Sequence, residues 1–293
     1  MAATTSPSAA LDAPPRGACL NCGAHLHGAY CATCGQRAPH SDLTLREFLH
    51  ETTEELTHWD GKVPRTLKTL FTKPGALTLD FLDGRRARWM PPLRVYIICS
   101  LAFFLSKPIV EGMTHRSMRE SAKFTLTKEN RPLTDAERRE LAQGIPGRIF
   151  GVERLEHAAA DNRRLNRAID SAFPNAMFVL MPLFALLTKL AWRKKGWRYP
   201  AHLYMSLHLH AAWFGALALA TIASAPIASD SGMRAVGVAG VAYIIWYALV
   251  TLRRVFGESW LKTLGKAIAI APFYLASVGA MALLLLGYAI YTM

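Results

Sequence analysis

Acidic side chains are almost absent from the last two fifths of the sequence. After residue 171 only Asp230 and Glu258 carry a carboxylate, and neither lies inside an apolar stretch. The chain also lacks a phosphate-binding glycine loop and a nucleophile elbow. An ion-coupled carrier usually needs a carboxylate buried within the membrane, so coupled transport is disfavoured. Because the sequence holds no catalytic constellation, we expect a protein that is not an enzyme.

The first 17 residues lack the features of a secretory signal peptide, because they have no cationic start and no apolar run. Three prolines, Pro7, Pro14 and Pro15, interrupt this segment. We therefore expect a disordered leader over residues 1–17 and no signal peptide.

The composition of the whole chain is typical of a multi-span membrane protein. Hydrophobic residues make up 52% of the sequence and the mean hydropathy is +0.16, yet the chain carries 34 lysines and arginines. A soluble globular protein rarely combines these properties. Most basic residues after position 171 flank apolar stretches rather than forming one face of a soluble domain. This distribution indicates membrane topology and argues against a nucleic-acid partner.

Five apolar stretches are long enough to cross a bilayer, which takes roughly 20 residues of helix. They cover about 92–110, 172–192, 201–227, 235–252 and 267–291. The first is the weakest of the five because Arg94 and Lys107 must extend from its ends towards the polar interface. These stretches predict an all-α membrane domain over residues 92–293.

Loop charge predicts how the spans are oriented. In a five-span arrangement three basic clusters fall on one side, namely Arg85–Arg94, Arg193–Arg198 and Arg253–Lys266. The positive-inside rule makes this side cytoplasmic, so the amino terminus lies inside and the carboxyl terminus outside. The segment 111–170 then forms an external loop with its own helices, one of them capped by Thr134 and Glu137.

Four of the five cysteines form two CxxCG knuckles near the amino terminus, Cys19 with Cys22 and Cys31 with Cys34. Two such knuckles complete a tetrahedral four-cysteine zinc site. Gly23 and Gly35 follow them, where a positive φ lets backbone N–H groups approach the thiolates. His25 or His27 in place of one cysteine is an alternative, and so are two disulfides, which need an oxidising compartment. A cytoplasmic amino terminus favours a structural zinc ion bound by a small head over residues 18–39.

The segment between the head and the first span, residues 40–91, predicts cytoplasmic amphipathic helices. Apolar residues recur at helical spacing over Ser41–Thr57, and a second helix is predicted over Val63–Phe71. A basic stretch then stands directly before the first span and contains Arg85, Arg86 and Arg88. We expect these three side chains to contact anionic lipid headgroups.

Three histidines lie near the start of the third apolar stretch, His202, His208 and His210. Polar groups within a span usually face the other helices of the bundle. The histidines are therefore candidates for a proton or metal path. The simpler explanation is that these side chains hydrogen-bond to neighbours or to headgroups.

The motifs occur in an order that resembles a known family. After the two CxxC knuckles come Leu56-Thr57-His58-Trp59-Asp60-Gly61, Thr69-Leu70-Phe71-Thr72-Lys73-Pro74-Gly75 and Phe81-Leu82-Asp83-Gly84-Arg85-Arg86-Ala87-Arg88-Trp89-Met90-Pro91-Pro92. From residue 19 to about 107 this resembles a bacterial membrane-protein family of unknown function, number 3667 in the domain-of-unknown-function series. The resemblance implies a zinc-ribbon-like head on an integral membrane protein, and it implies no particular activity.

Taken together, the sequence predicts an all-α, five-span protein of the bacterial inner membrane with a cytoplasmic zinc-knuckle head. The expected role is non-enzymatic, in scaffolding or regulation, with the head contacting a protein partner and the basic residues contacting the lipid surface. The alternative is a small transporter or metal-handling protein that uses the third-span histidines.

Overall fold

The computed structural model describes residues 17–38, 61–114, 134–160, 162–227 and 229–292. Almost all of the predicted leader and the predicted helix over Ser41–Thr57 lie outside these residues. The described part contains the four-cysteine head, no strand and ten α-helices. The helices are α1 (Val63–Thr72), α2 (Ala76–Leu82), α3 (Pro92–Thr114), α4 (Asp135–Gln143), α5 (Ile145–Phe150), α6 (Val152–Ala160), α7 (Asn162–Ala191), α8 (Tyr199–Ser224), α9 (Asp230–Phe256) and α10 (Trp260–Tyr291).

Four of these helices are long and apolar enough to cross a membrane: α3 over Pro92–Val110, α8, α9 over Ser231–Phe256, and α10. The remaining predicted span, 172–192, corresponds to the end of α7, where the described apolar segment is shorter and covers Ala176–Ala191. The all-α membrane fold is therefore confirmed, with four candidate spans and one shorter apolar segment. The stretch that looked weakest in the sequence, 92–110, is one of the four.

Helix α8 lies at the centre of the bundle. It packs against α3, α7 and α9 and against the short helices α1 and α2. Every side chain from Pro200 to Ala212 is buried. By contrast, α9 and α10 expose many large apolar side chains, which suits contact with lipid. A helix that is apolar on all sides needs such a central position, because each of its faces must be covered.

The end of α1 is held against α9 by hydrogen bonds. The last carbonyl groups of any helix have no partner within the helix, and they need donors from elsewhere. Two side chains of α9 supply them here: Tyr243 donates to the carbonyl oxygen of Phe71 (2.9 Å) and Tyr247 to that of Leu70 (2.7 Å). Arg254 of α9 donates to the carbonyl oxygen of Pro74 in the turn that follows α1 (2.7 Å). The predicted helix over Val63–Phe71 is thus present, and it packs against the membrane helices.

Two glycines allow the close approach of α1 and α2 to the bundle. Gly75, between these helices, has φ +77°, and a Cβ atom there would lie 3.2 Å from Cγ2 of Val255 in α9. Gly215 in α8 receives the ring of Phe71, because a Cβ atom there would lie 2.3 Å from Cζ of that ring. The short helices therefore fit into a groove that side chains at these positions would fill.

The helices of the segment 134–160 contact the carboxyl-terminal end of α10. The predicted capping box is confirmed, because Glu137 Oε2 accepts hydrogen bonds from the backbone N–H and the hydroxyl of Thr134, each 2.7 Å long. The Phe150 ring lies 3.1 Å from where a Cβ atom of Gly287 would be, and Arg154 stacks over the ring of Tyr291. These contacts tie α5 and α6 to the last turns of α10.

Replacing Gly215 by Ala tests the fit of Phe71 against α8. The added methyl group forces the Phe71 ring to move, and overpacking of this kind costs about 1–3 kcal/mol. We expect Gly215→Ala to lower the free energy of unfolding in detergent by that amount. Gly279→Ala in α10 is the matched control, since nothing lies within 4 Å of its Cβ position. Equal stability of the two variants would contradict this packing.

Candidate metal centre and its contacts with the membrane helices

The two cysteine knuckles have the same backbone structure, repeated twelve residues apart. The N–H of Gly23 donates to the carbonyl oxygen of Cys19 (2.8 Å), and that of Gly35 donates to the carbonyl oxygen of Cys31 (2.9 Å). Both glycines have a positive φ, +78° and +70°. The predicted turn geometry is therefore confirmed, and each turn brings its two cysteine side chains to one side.

The four cysteine sulfur atoms lie close together in an arrangement that suits a metal ion. All four Sγ atoms lie within 4.8 Å of one another, and the Cys19–Cys34 and Cys22–Cys31 distances are both 3.6 Å. Tetrahedral zinc with bonds of about 2.3 Å separates its sulfur ligands by about 3.8 Å. A disulfide would need about 2.05 Å, and all four cysteines are free. In the described part of the chain this is the one such group, and neither His25 nor His27 belongs to it.

Hydrogen bonds to the sulfur atoms favour the thiolate form that binds metals. Backbone N–H groups of Cys34 and Thr33 lower the pKa of Cys31 to about 6. Burial raises the pKa of Cys34, but hydrogen bonds from the Asn21 side chain and the backbone of Gln36 outweigh it and lower that pKa overall. These two knuckle residues therefore stabilise a negative charge on Cys34.

Without a cation the four sulfur atoms cannot all be thiolates. The backbone N–H of Ala24 favours the thiolate of Cys22, but burial and the contacts with Cys19, Cys31 and Cys34 raise its pKa to about 12. Like charges held this close together oppose a fourth thiolate. A divalent cation at the centre of the group removes that repulsion, so the donor set fits a four-thiolate metal site.

The head docks on the loop between α2 and α3, mainly through one glutamine. The side-chain amide of Gln36 donates to the carbonyl oxygen of Gly84 (2.7 Å). Its Oε1 accepts hydrogen bonds from the backbone N–H groups of Arg86 and Ala87, each 3.0 Å long. The glutamine thus satisfies three backbone groups of the loop with one side chain.

A second group of contacts holds the first knuckle to the same loop. Arg88 donates to the side-chain oxygen of Asn21 (3.0 Å) and to its carbonyl oxygen (2.6 Å). Gly84 has φ +78°, and a Cβ atom there would lie 2.5 Å from Cδ1 of Leu20. This interface was not predicted from the sequence, although Gln36 directly follows the second CxxCG knuckle and Gly84 lies within the quoted motif that ends at Pro92.

The three arginines predicted to contact lipid headgroups all make contacts within the protein. Arg85 pairs with Asp80 (2.6 Å) and Asp83 (2.8 Å). Arg86 lies over the ring of Tyr204 in α8, 5.7 Å from its centroid. Arg88 binds the head as described above. These contacts position the loop beside α8, and the role of the arginines at the lipid surface stays a prediction.

The three histidines of α8 are buried, and each joins α8 to a different helix. His202 lies 3.3 Å from Thr188 of α7, His208 lies 3.1 Å from Thr78 of α2, and His210 lies 2.7 Å from the Tyr274 hydroxyl of α10. The Nε2 atom of His208 has no hydrogen-bond partner among the residues that the structure describes. The three rings therefore act as separate tethers between helices, and they do not form one ligand set.

The hydrogen bond between Thr78 and His208 predicts a stability effect. Thr78→Val keeps the shape of the side chain but leaves Nδ1 of a buried histidine without a partner, which costs about 1–3 kcal/mol. We expect the free energy of unfolding of the full chain in detergent to fall by that amount. Thr72→Val, the same change at an exposed position of α1, should alter it by less than about 0.5 kcal/mol. Similar values for the two variants would show that the tether does not stabilise the fold.

Residues 60–104 match the family described as a protein of unknown function (DUF3667). The match covers α1, α2, the loop that receives the head and the first half of α3. The resemblance seen in the motifs is thus confirmed over this range. No curated protein and no solved structure matches the chain.

Proposed function

We propose that this protein is a non-enzymatic scaffold or regulatory protein of the bacterial inner membrane, with a zinc-binding head in the cytoplasm. The observation that carries the proposal is the docking of the four-cysteine head on the loop between α2 and α3. A head packed on the membrane domain in this way can report its own state to that domain. It can also present a partner protein to it.

Zinc is the metal that best fits the head. Four cysteine thiolates at tetrahedral spacing form a closed site without an open coordination position, which is typical of structural zinc. The described head has 22 residues, too few to build a stable hydrophobic core. Metal binding would therefore provide most of its folding free energy.

The arrangement of the helices supports five crossings with the head on the cytoplasmic side. The docking loop lies beside Tyr204, near the start of α8, and Lys195 approaches Gly257 at the end of α9. The head and the basic loops therefore share one end of the bundle. The segment 134–160 contacts the other end, so α7 must run the length of the bundle between them. Its 30 residues span about 45 Å, which is sufficient.

The exposed side of the head is a candidate surface for a protein partner. Tyr30, next to Cys31, is 64% exposed although it is a large aromatic residue. Tyrosine is enriched in protein interfaces because it offers a large rigid surface together with a hydroxyl group.

The transporter alternative gains no support from the contacts of the histidines, because each of them binds a separate helix.

The metal content of the purified protein tests the zinc site. We expect about one zinc ion per chain from elemental analysis of reduced, untagged protein, since four cysteines complete one site. Cys31→Ser should reduce the zinc content strongly, because it removes one of the four ligands. Cys99→Ala is the matched control, as Cys99 is the buried fifth cysteine in α3 and should leave the zinc content unchanged. Protein without zinc, or equal loss in both variants, would contradict the proposal.

Cysteine labelling in intact cells tests the orientation. In a Cys99→Ala background, which keeps the four head cysteines, we expect an impermeant thiol reagent to label a cysteine introduced at Asp135 or at Thr292. The same background without an introduced cysteine is the control for any labelling of the head. A cysteine placed at Lys194 should be protected, because the basic turn is expected in the cytoplasm. Labelling at Asp135 and Lys194 with protection at Thr292 would mean that α7 does not cross the membrane. Labelling at Lys194 with protection at both Asp135 and Thr292 would mean that the bundle has the opposite orientation.

A further inference from the structure

The residues that dock the head are parts of the turns that hold the metal ligands. Asn21 lies between Cys19 and Cys22 in the first knuckle, and Gln36 follows Gly35 at the end of the second. The same turns therefore hold both the metal ligands and the docking residues. A change in turn geometry that separates the four cysteines must also disturb the docking contacts.

The loop depends on the head for its polar contacts. When Gln36 moves away, the N–H groups of Arg86 and Ala87 lose their acceptor and the carbonyl of Gly84 loses its donor. Arg88 loses both of its hydrogen bonds to Asn21. Five hydrogen bonds thus disappear together, and the loop becomes free to rearrange or to admit water.

The same loop is fixed to α2, which contacts the centre of the bundle. Asp80 of α2 accepts hydrogen bonds from Arg85 (2.6 Å) and from the ring nitrogen of Trp89 (2.6 Å), the residues directly before and after Arg86–Arg88 in the sequence. Phe81 packs against Tyr204 of α8, and Thr78 bonds to His208. A continuous series of direct contacts therefore runs from Gln36, at the end of the second knuckle, through the loop and α2 to the buried face of α8.

We propose that the head is a metal-dependent latch on α2: with the metal bound, the head holds the α2–α3 loop and keeps α2 packed against α8, and loss of the metal releases both. The latch rests on the proposed metal-binding function and adds a consequence for the membrane domain. It makes metal availability in the head's compartment a signal that reaches α8.

Hydrogen–deuterium exchange of the full chain in lipid nanodiscs tests the latch. Peptides that contain Arg86 and Ala87 are compared with zinc present, after removal of zinc by a chelator and after its return. We expect exchange in these peptides to rise at least about tenfold on removal, because local opening exposes the amides, and to recover on return. Removal of zinc should also raise the exchange of α2, whereas exchange in the middle of α10 should stay the same.

A variant that spares the metal ligands separates docking from metal binding. Gln36→Ala removes the acceptor for the two loop amides but keeps all four cysteines. We expect it to keep the wild-type zinc content and still to show faster exchange around Arg86 and Ala87. Arg37→Ala, the exposed neighbouring position, is the matched control and should match the wild type in both measurements.

The outcomes distinguish the two proposals. Purified protein without metal overturns the metal site and the latch with it. Zinc-containing protein whose loop exchange is the same before and after chelation overturns the latch alone. If removal of zinc unfolds the whole chain, the zinc-bound Gln36→Ala variant provides the test. Loop exchange equal to that of the wild type in this variant would show that the head does not hold the loop.

Discussion

Backbone polar groups near the apolar helices must find hydrogen-bond partners inside the protein, and most specific contacts of this fold follow from that constraint. The turn between α1 and α2 interrupts regular helical bonding directly against the bundle, where irregular backbone is tolerated only if protein groups satisfy it. Side chains of α9 bind the carbonyl oxygens at that turn. Gln36 does the same for the loop between α2 and α3. Without these donors and acceptors, the backbone polar groups of both irregular segments would lose hydrogen-bond partners next to the bundle.

The same constraint changes how the histidines of α8 are interpreted. Three histidines within nine residues of a span look like a ligand set, because unpaired polar groups in a membrane are costly and usually functional. Here His202, His208 and His210 each have a partner on a different helix, so burial is compensated by tethering. A metal or proton path requires polar groups that converge, and these diverge around the helix axis. The three histidines therefore join helices at separate places and do not form one ligand set.

Features that repeat or extend along the chain were predictable from the sequence. The CxxCG spacing predicted both turns and the clustering of four sulfur atoms, because the geometry of each knuckle is local. The apolar stretches predicted the four candidate spans and the shorter apolar segment at the end of α7, and Thr134 with Glu137 predicted a helix start. The docking of the head was not predictable, because it depends on single residues such as Gln36 and Gly84 that lie 48 residues apart. No periodic pattern marks a contact of that kind.

The assignment of Arg85, Arg86 and Arg88 to the lipid surface shows the limit of charge patterns. A basic stretch before a span is consistent with headgroup binding, but the sequence cannot show whether acidic or carbonyl partners lie nearby. Asp80 and Asp83 were visible in the sequence, and their pairing with Arg85 required α2 to be a helix that ends at Leu82. The Asn21 contact of Arg88 required the head to be docked.

The family match covers the segment that contacts both the four-cysteine head and the helix bundle. Residues 60–104 contain the loop groups that receive the head and the residues of α1 and α2 that contact α8 and α9. Gly75 and Gly84 lie in this range at positive φ, and both allow a close approach to another part of the chain. A segment that only separated the head from the membrane would need neither glycine. Two close approaches within ten residues instead indicate that this segment holds the head on one side and the bundle on the other.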